Sequence, residues 1–410
     1  MNWTKCPLTV LKFGGSSVAN AKRIKHVAQI INKVRNNGYR VAVVVSAMGS
    51  MTDDLLALAG NVSDSKNGRE IDRLLATGEQ QTVALLSLAL QNSGIPAQSF
   101  TSRQAGIFAK GFAMEGRIYK IEPKAVEKVL NEGVVAVITG FQAVTDDGDI
   151  ITLGRGGSDL SAVALAGALE AESCQLLKDV TGIMTSDPKI VKNTCKIKEI
   201  SFEECMEMAV QGANVIQARS VEVAARYNVP LYVGSSFVEE EGTWIMSRPV
   251  TEGLIIKAVT VDSEITKIVL LGVPDIPGVA AKLFTNLADC GVGSEMIVQN
   301  IMRGGVNDIG FLVKDTHLEM AIKVCRDLCH KIDAQGVSFD TEIARVTIIG
   351  AGIANHPEVP SKMFNVLGEE KINIEMISST ALALTCVVDS KRSADAVRAL
   401  HKAFIEEGAF

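Results

Sequence analysis

Eight residue pairs in the last third of the chain recur at a single offset of 80 residues. Pro277, Val279, Lys282, Phe284 and Leu287 return as Pro357, Val359, Lys362, Phe364 and Leu367, and Glu295-Met296-Ile297 returns as Glu375-Met376-Ile377. Agreement at one fixed spacing means two copies of one structural unit. Each copy reads strand, proline-opened helix, strand, strand, helix. Proline suits the first helical turn because its missing N–H has no intrahelical partner there. This pattern predicts two small ferredoxin-like βαββαβ modules. The polar, breaker-rich stretches Glu239-Glu240-Glu241-Gly242 and Ser247–Glu252 precede them, so the expected domains are 1–261, 262–342 and 343–410.

Before that boundary, short β-type runs alternate with helical patterns. Strands are expected at Leu8–Lys12, Arg40–Ser46, Val134–Thr139, Cys174–Lys178 and Pro230–Val233, with helices at Ala21–Asn36, Arg69–Gln91, Leu160–Leu169 and Phe202–Val210. Such alternation predicts an α/β domain, a mostly parallel sheet covered on both faces. Thr145-Asp146-Asp147-Gly148-Asp149 reads as a hairpin turn. The apolar fraction of 47% is ample for buried cores, and a net charge of −6 with only 5% aromatic residues argues against a nucleic-acid surface. The N-terminus lacks the layout of a signal peptide and the apolar runs are too short to span a bilayer, so the expectation is a soluble, cytoplasmic protein with no membrane partner. The eight cysteines are scattered. They suit reduced, buried thiols, and Cys325, Cys329 and His330 lack the second ligand pair of a zinc site.

Five segments carry candidate chemistry. Val10 to Ala19 reads VLKFGGSSVA: a lysine at a strand end, two glycines, then a helix-like opening at Ser16-Ser17. Amides at a helix start beside an ammonium suit phosphate, and a plain tight turn fits the same residues. Ser46-Ala47-Met48-Gly49 ends an apolar strand and leads to Thr52, in the region where open α/β sheets bind ligands. Glu79 stands in the apolar helical pattern Leu74 to Leu90, either buried against a ligand ammonium or facing solvent. Thr152-Leu153-Gly154-Arg155-Gly156-Gly157-Ser158-Asp159 surrounds one arginine with three glycines. Arg155 offers a planar fork for a carboxylate or phosphate, while Ser158 or Asp159 could cap the following helix. Asp179 at a further strand end, with Gly182 and Asp187-Pro188, reads as a nucleotide pocket or as a decorated loop.

Taken in order, KFGGSS, SAMG with TDDLL, TGEQ, GFQAV, TLGRGGSD and DVTGIMTSDPKIV resemble the aspartate kinases of the amino-acid kinase superfamily, and the repeats resemble their tandem ACT domains. The resemblance covers about Leu8 to Phe404. It implies a three-layer α/β/α catalytic domain and ATP-dependent phosphorylation of the side-chain carboxylate of L-aspartate to 4-phospho-L-aspartate, the first step to lysine, threonine and methionine. Lys12, Phe13, Gly14 and Gly15 would meet the phosphates with Mg²⁺ carried by the nucleotide, and Asp159 would orient the transferring groups. Arg155 would hold the aspartate α-carboxylate and Glu79 its ammonium, with Ser46, Thr52, Arg117 and Ser158 completing the substrate site. Lys178, Asp179, Met184, Thr185, Ser186, Asp187, Pro188 and Lys189 would line the nucleotide. An end-product amino acid, lysine or threonine, would bind at Asp275, Pro277, Gly278, Val279, Ala280, Gln299 and Asn300 of the first module and Asn373, Ile374 and Glu375 of the second. The ACT pair would also form a homodimer. Without the resemblance, these module positions read as core and turn residues.

The chain departs from the common pattern at several places. Lys178 stands where many members have Ser or Thr, Met184 where many have Tyr, and Lys189 where many have Arg. Asn214 replaces a frequent second lysine near the phosphates, and Ser50 a frequent Asp. Two other readings therefore stay open: a catalytically weak paralogue that senses an amino acid, and a kinase for another acidic amino acid.

Overall fold

The runs that read as strands before the repeats are strands, buried on both faces of one sheet. In the computed structural model, which describes residues 3–63, 68–213, 215–247, 255–299 and 305–408, the chain forms two units. The first is Met1–Met184, Cys195–Ala209 and Asn214–Thr251; the second is Thr185–Thr194, Val210–Ala213 and Glu252–Phe410.

In the first unit, β1 (Leu8–Phe13) is buried throughout and α1 (Ala21–Asn36) begins where the Asn20 side chain accepts the Arg23 N–H. β2 (Arg40–Val45), α2 (Met51–Gly60) and α3 (Arg69–Asn92) follow, α3 running without a break through Thr77-Gly78-Glu79. Next come β3 (Ala97–Phe100), β4 (Ile107–Lys110), β5 (Arg117–Ile121), α4 (Lys124–Asn131) and β6 (Val135–Thr139). The hairpin β7 (Gln142–Val144) and β8 (Ile150–Thr152) turns at the expected Thr145–Asp149 segment, with Gly148 at φ 86°. The unit continues through α5 (Gly157–Ala168), β9 (Ser173–Lys178), β10 (Glu199–Ile200), α6 (Phe202–Val210, all but its last residue), α7 (Ala218–Tyr227), β11 (Leu231–Ser235) and β12 (Thr243–Ile245).

The main sheet has the order β10-β12-β11-β9-β1-β2-β6-β3, parallel at every pairing except β11–β12. Side chains alternate between its faces. Leu11, Phe13, Val43, Val45 and Val137 meet Val27 and Ile31 of α1 and Val83, Leu86 and Leu90 of α3 in one apolar cluster. α5 packs on β1, β2 and β9 and is buried from Gly157 to Ala166, as a helix apolar all round must be. A parallel sheet points all its carboxyl ends one way, and the loops there form the natural ligand crevice.

The second unit holds β13 (Ile255–Asp262), β14 (Ile265–Pro274), α8 (Val279–Asp289), β15 (Glu295–Gln299), β16 (Val306–Lys314), α9 (Leu318–Ile332) and β17 (Gly336–Asp340). It goes on with β18 (Ile343–Ala351), α10 (Glu358–Glu369), β19 (Met376–Ser379), β20 (Ala383–Asp389) and α11 (Ser393–His401). The first module is a complete βαββαβ unit with the sheet β15-β16-β14-β17. The second has the sheet β13-β18-β20-β19 and takes its fourth strand from before the first module. The boundary expected near Val261 thus falls inside β13, and the first module is inserted into the second. Buried β18 needs a partner on each edge, and among the described residues after α11 the chain forms a helical turn, Lys402–Glu406, and no strand.

The two modules pack with internal symmetry. Glu295 of the first pairs with Arg345 of the second, and Glu375 of the second with Lys267 of the first. Ile265, Leu312, Ile343 and Val387 close the apolar seam, flanked by Met296 and Met376. Cys325 and Cys329 lie in the first module's core, and among the described residues no group of three or more His, Cys, Asp or Glu could hold a metal. Nor is any helix of the described residues long and apolar enough to cross a membrane.

Candidate active site at the strand ends

Lys12 is the penultimate residue of β1, and burial of the whole strand leaves it 6% exposed. The glycines that follow open only a short 3-10 turn, Gly15–Val18; the first full helix starts at Ala21. The helix-like opening expected at Ser16-Ser17 is therefore one turn, too short for a substantial dipole. The Gly14 N–H donates to Leu177 O at 3.4 Å, and a Cβ on Gly14 would lie 3.6 Å from Lys12 Nζ. Gly15 has no room for a side chain: its Cβ would sit 2.9 Å from Ala47 O, so this turn and the Ser46–Ser50 turn after β2 interlock.

α5 begins at Gly156, held at φ 73°, and no side chain caps it. The capping role open to Ser158 and Asp159 is absent, which leaves both side chains for other work. Asp159 is 4% exposed; its Oδ1 forms an ion pair with Lys12 Nζ at 2.6 Å, and its Oδ2 accepts a hydrogen bond from Lys178 Nζ at 2.6 Å. Burial alone would raise the Asp159 carboxyl, but the two lysine charges outweigh it and hold it at about 2. Lys178, at the end of β9, also donates to Val215 O at 2.6 Å; burial lowers its pKa against the pull of Asp159. Two ammoniums around one carboxylate leave a net positive charge in a nearly dry place, which an anionic ligand would satisfy. Asn214 lies outside the described residues.

Glu79 is 2% exposed on α3. One carboxylate oxygen accepts the Ala47 N–H at 3.0 Å, while Oε2 is buried without a hydrogen-bond partner. Burial pushes its pKa up to about 7, against smaller lowering by the Ala47 amide and by Lys12. Gly78 lets α3 approach closely, since a Cβ there would lie 2.7 Å from the Ala47 Cβ. Thr139, at the end of β6, presents another buried hydroxyl without a partner, and Gly140 abuts Ser158. Sequence reading missed Thr139; a strand-end threonine in an apolar run was the only signal. Ser46 and Thr52 sit half-buried on the turn after β2 and the first turn of α2.

Arg155 is exposed on the loop before α5, and Arg117 is exposed at the start of β5. Two residues not singled out from the sequence, Asp72 and Arg219, tie these two loops together. The remaining nucleotide candidates divide between the units. Asp179 is exposed and Met184 bridges Lys196 in the first unit. Thr185, Ser186, Asp187, Pro188 and Lys189 belong to the second, where Thr185 Oγ1 meets His401 Nε2 at 2.9 Å and Val259 N–H donates to Thr185 O.

Of the effector candidates, Asp275, Pro277, Gly278 and Ala280 are exposed at the start of α8, with Gly278 at φ 95° and Asn307 donating to Asp275. Val279 is buried in the module core. Gln299 ends the edge strand β15, whereas Asn300 lies outside the described residues. Ile374 and Glu375 line a cleft of about 420 Å³ with Lys267 and Asp308, and Asn373 is exposed beside them.

The fold and the sequence profiles agree on the class: an amino acid kinase domain followed by an ACT domain. The amino acid kinase family profile matches residues 7–235 and the ACT domain profile residues 346–404. An aspartate kinase of Pseudomonas putida is 42% identical over 399 residues, 97% of each chain. E. coli aspartokinase III, solved in complex with aspartate and ADP, shares the fold with a TM-score of 0.83 at 24% identity, over 97% of this chain and 99% of that one. The same enzyme solved with lysine and aspartate gives a TM-score of 0.72 at 25% identity over the same shares. The chain belongs to the aspartokinases of the amino acid kinase family.

Proposed function

We propose that the protein transfers the γ-phosphoryl group of ATP to the side-chain carboxylate of L-aspartate, giving 4-phospho-L-aspartate. The observation that carries this reading is the buried Lys12–Asp159–Lys178 cluster, a net cation near a buried glutamate with an unpartnered oxygen. The cluster suits phosphate, and Glu79 suits a ligand ammonium. The attacking carboxylate is already ionised at neutral pH, so no general base is needed. The work is to bring two anions together and to neutralise the moving phosphoryl group. Lys12 and Lys178 would face the phosphates, with Asp159 fixing both ammoniums. Glu79 would take the substrate ammonium, Arg155 its α-carboxylate and Arg117 its side-chain carboxylate. Bound ATP supplies the phosphoryl group, with Mg²⁺ carried on its phosphates and screening their charge.

Lys178 also answers the replacement at Asn214. A second ammonium already reaches Asp159 from β9, which favours an active kinase over a silent sensor. The ACT modules of the second unit would bind an end-product amino acid, lysine or threonine, and pair with a second copy. The open edges of β15 and β19, with Ile297, Val298 and Ile377 exposed, support that pairing.

A coupled assay for ADP with L-aspartate, ATP and Mg²⁺, repeated with L-glutamate and with added lysine or threonine, tests the reading. ADP release with aspartate, reduced by one effector, is expected. No ADP release across nucleotides and salts would refute it.

A further inference from the structure

Arg117 follows one loop and Arg155 lies on another, and both loops are braced from α7 and from α3. From α7, the Arg219 guanidinium donates to Leu153 O at 3.1 Å and to Gly116 O at 3.0 Å, one carbonyl in each loop. From α3, the Asp72 carboxylate accepts the Met114 N–H at 3.1 Å and the Thr152 hydroxyl at 2.6 Å, again one group in each loop. Asp72 is 1% exposed and stands two helical turns before Glu79, on the same face of α3. The loops also join directly, Gly116 N–H to Thr152 O at 2.9 Å, and Gln217 donates to Arg155 O. Gly154, at φ 77°, permits the contact: a Cβ there would lie 2.9 Å from Met114 O.

This bracing has an electrostatic cost. Arg219 is half-buried, and burial together with the nearby Arg117 charge disfavours its cationic form. Its fork is nevertheless spent on two backbone carbonyls, while Arg117 and Arg155 stay exposed to an incoming anion.

We propose that Arg219 and Asp72 are positioning residues that lock the 112–116 and 152–156 loops, so that Arg117 and Arg155 stand at one fixed separation for the carboxylates of an acidic amino acid. The inference rests on the aspartate reading of this site. It assigns substrate length discrimination to a clamp that never touches the substrate. A lysine cannot reproduce the clamp, because a single ammonium lacks the planar fork that reaches both carbonyls.

The test is steady-state kinetics of the full chain carrying Arg219→Lys, with Asp72→Asn as the second variant should the first fail to fold. Loss of a charge-assisted hydrogen bond predicts a KM for L-aspartate raised roughly tenfold, with KM for ATP within about twofold of wild type. The preference for L-aspartate over L-glutamate should fall. Unchanged aspartate KM, or a parallel loss in both KM values and kcat as from a general structural brace, would overturn the clamp. A wild-type protein without aspartate turnover would instead overturn the substrate reading, and the clamp with it.

Discussion

Replacing Glu79 by glutamine should stabilise the ligand-free protein while removing aspartate binding. Burial raises the Glu79 carboxyl from 4.5 to about 7. A carboxyl raised in the folded state keeps its proton where the unfolded chain has lost it. Stability therefore falls as pH rises from 4.5 to about 7. At pH 8 the accumulated loss is about 3 kcal/mol, and glutamine avoids it because it carries no charge. The amide oxygen can still accept the Ala47 N–H, so the local geometry survives. Denaturant unfolding of both proteins at pH 5 and pH 8, with calorimetric titration of L-aspartate at pH 8, measures the two effects. The expected result is a gain for the variant of less than about 1 kcal/mol at pH 5 and of roughly 2–3 kcal/mol at pH 8, and no aspartate binding. Equal stability at both pH values, or intact aspartate affinity, would refute the assignment of a buried, ligand-facing carboxylate.

The wild-type affinity for aspartate should rise between pH 6 and about pH 8, because the ammonium needs ionised Glu79; titrations below pH 7 should show proton release on binding. Gly78→Ala puts a Cβ 2.7 Å from that of Ala47, which should cost about 1–3 kcal/mol and weaken aspartate binding, read by thermal melts and titration. Arg345 is 3% exposed and holds Asp262, Glu295 and Val210 O. Arg345→Met should lower the unfolding transition of the second unit by roughly 3–5 kcal/mol, seen in scanning calorimetry.

Local pattern made much of the first unit legible. The helix expected at Ala21–Asn36 is the observed one, because amphipathic period and the Asn20 cap are both local signals. The parallel strands were visible as apolar runs, since a strand buried on both faces has no polar alternation to disguise it. The repeat was legible too, and Val279, Leu283 and Leu287 fill in α8 the places that Val359, Met363 and Leu367 fill in α10. Pairing between distant segments was not. Nothing in Ile255–Asp262 states that its partner is Ile343–Ala351, and nothing in Thr185–Thr194 states that Val191 packs with Val359 and Leu367. In the site, single residues with unusual company stood out: Lys12, Glu79 and Arg155. Residues that act through backbone carbonyls, such as Arg219, have no sequence signature, although the seven-residue spacing of Asp72 and Glu79 on one helix face was there to be read. The Lys178–Asp159 pair joins β9 to α5 and became visible only in three dimensions.

The central claim is that Lys12, fixed by Asp159, carries charge on the moving phosphoryl group and does not hold the amino acid. Parallel measurement of ADP formation and of the aspartate Kd for Lys12→Ala tests it most directly. The account predicts that ADP formation is abolished while the aspartate Kd stays within about threefold of wild type. Substantial residual turnover, or loss of aspartate binding along with activity, would contradict it.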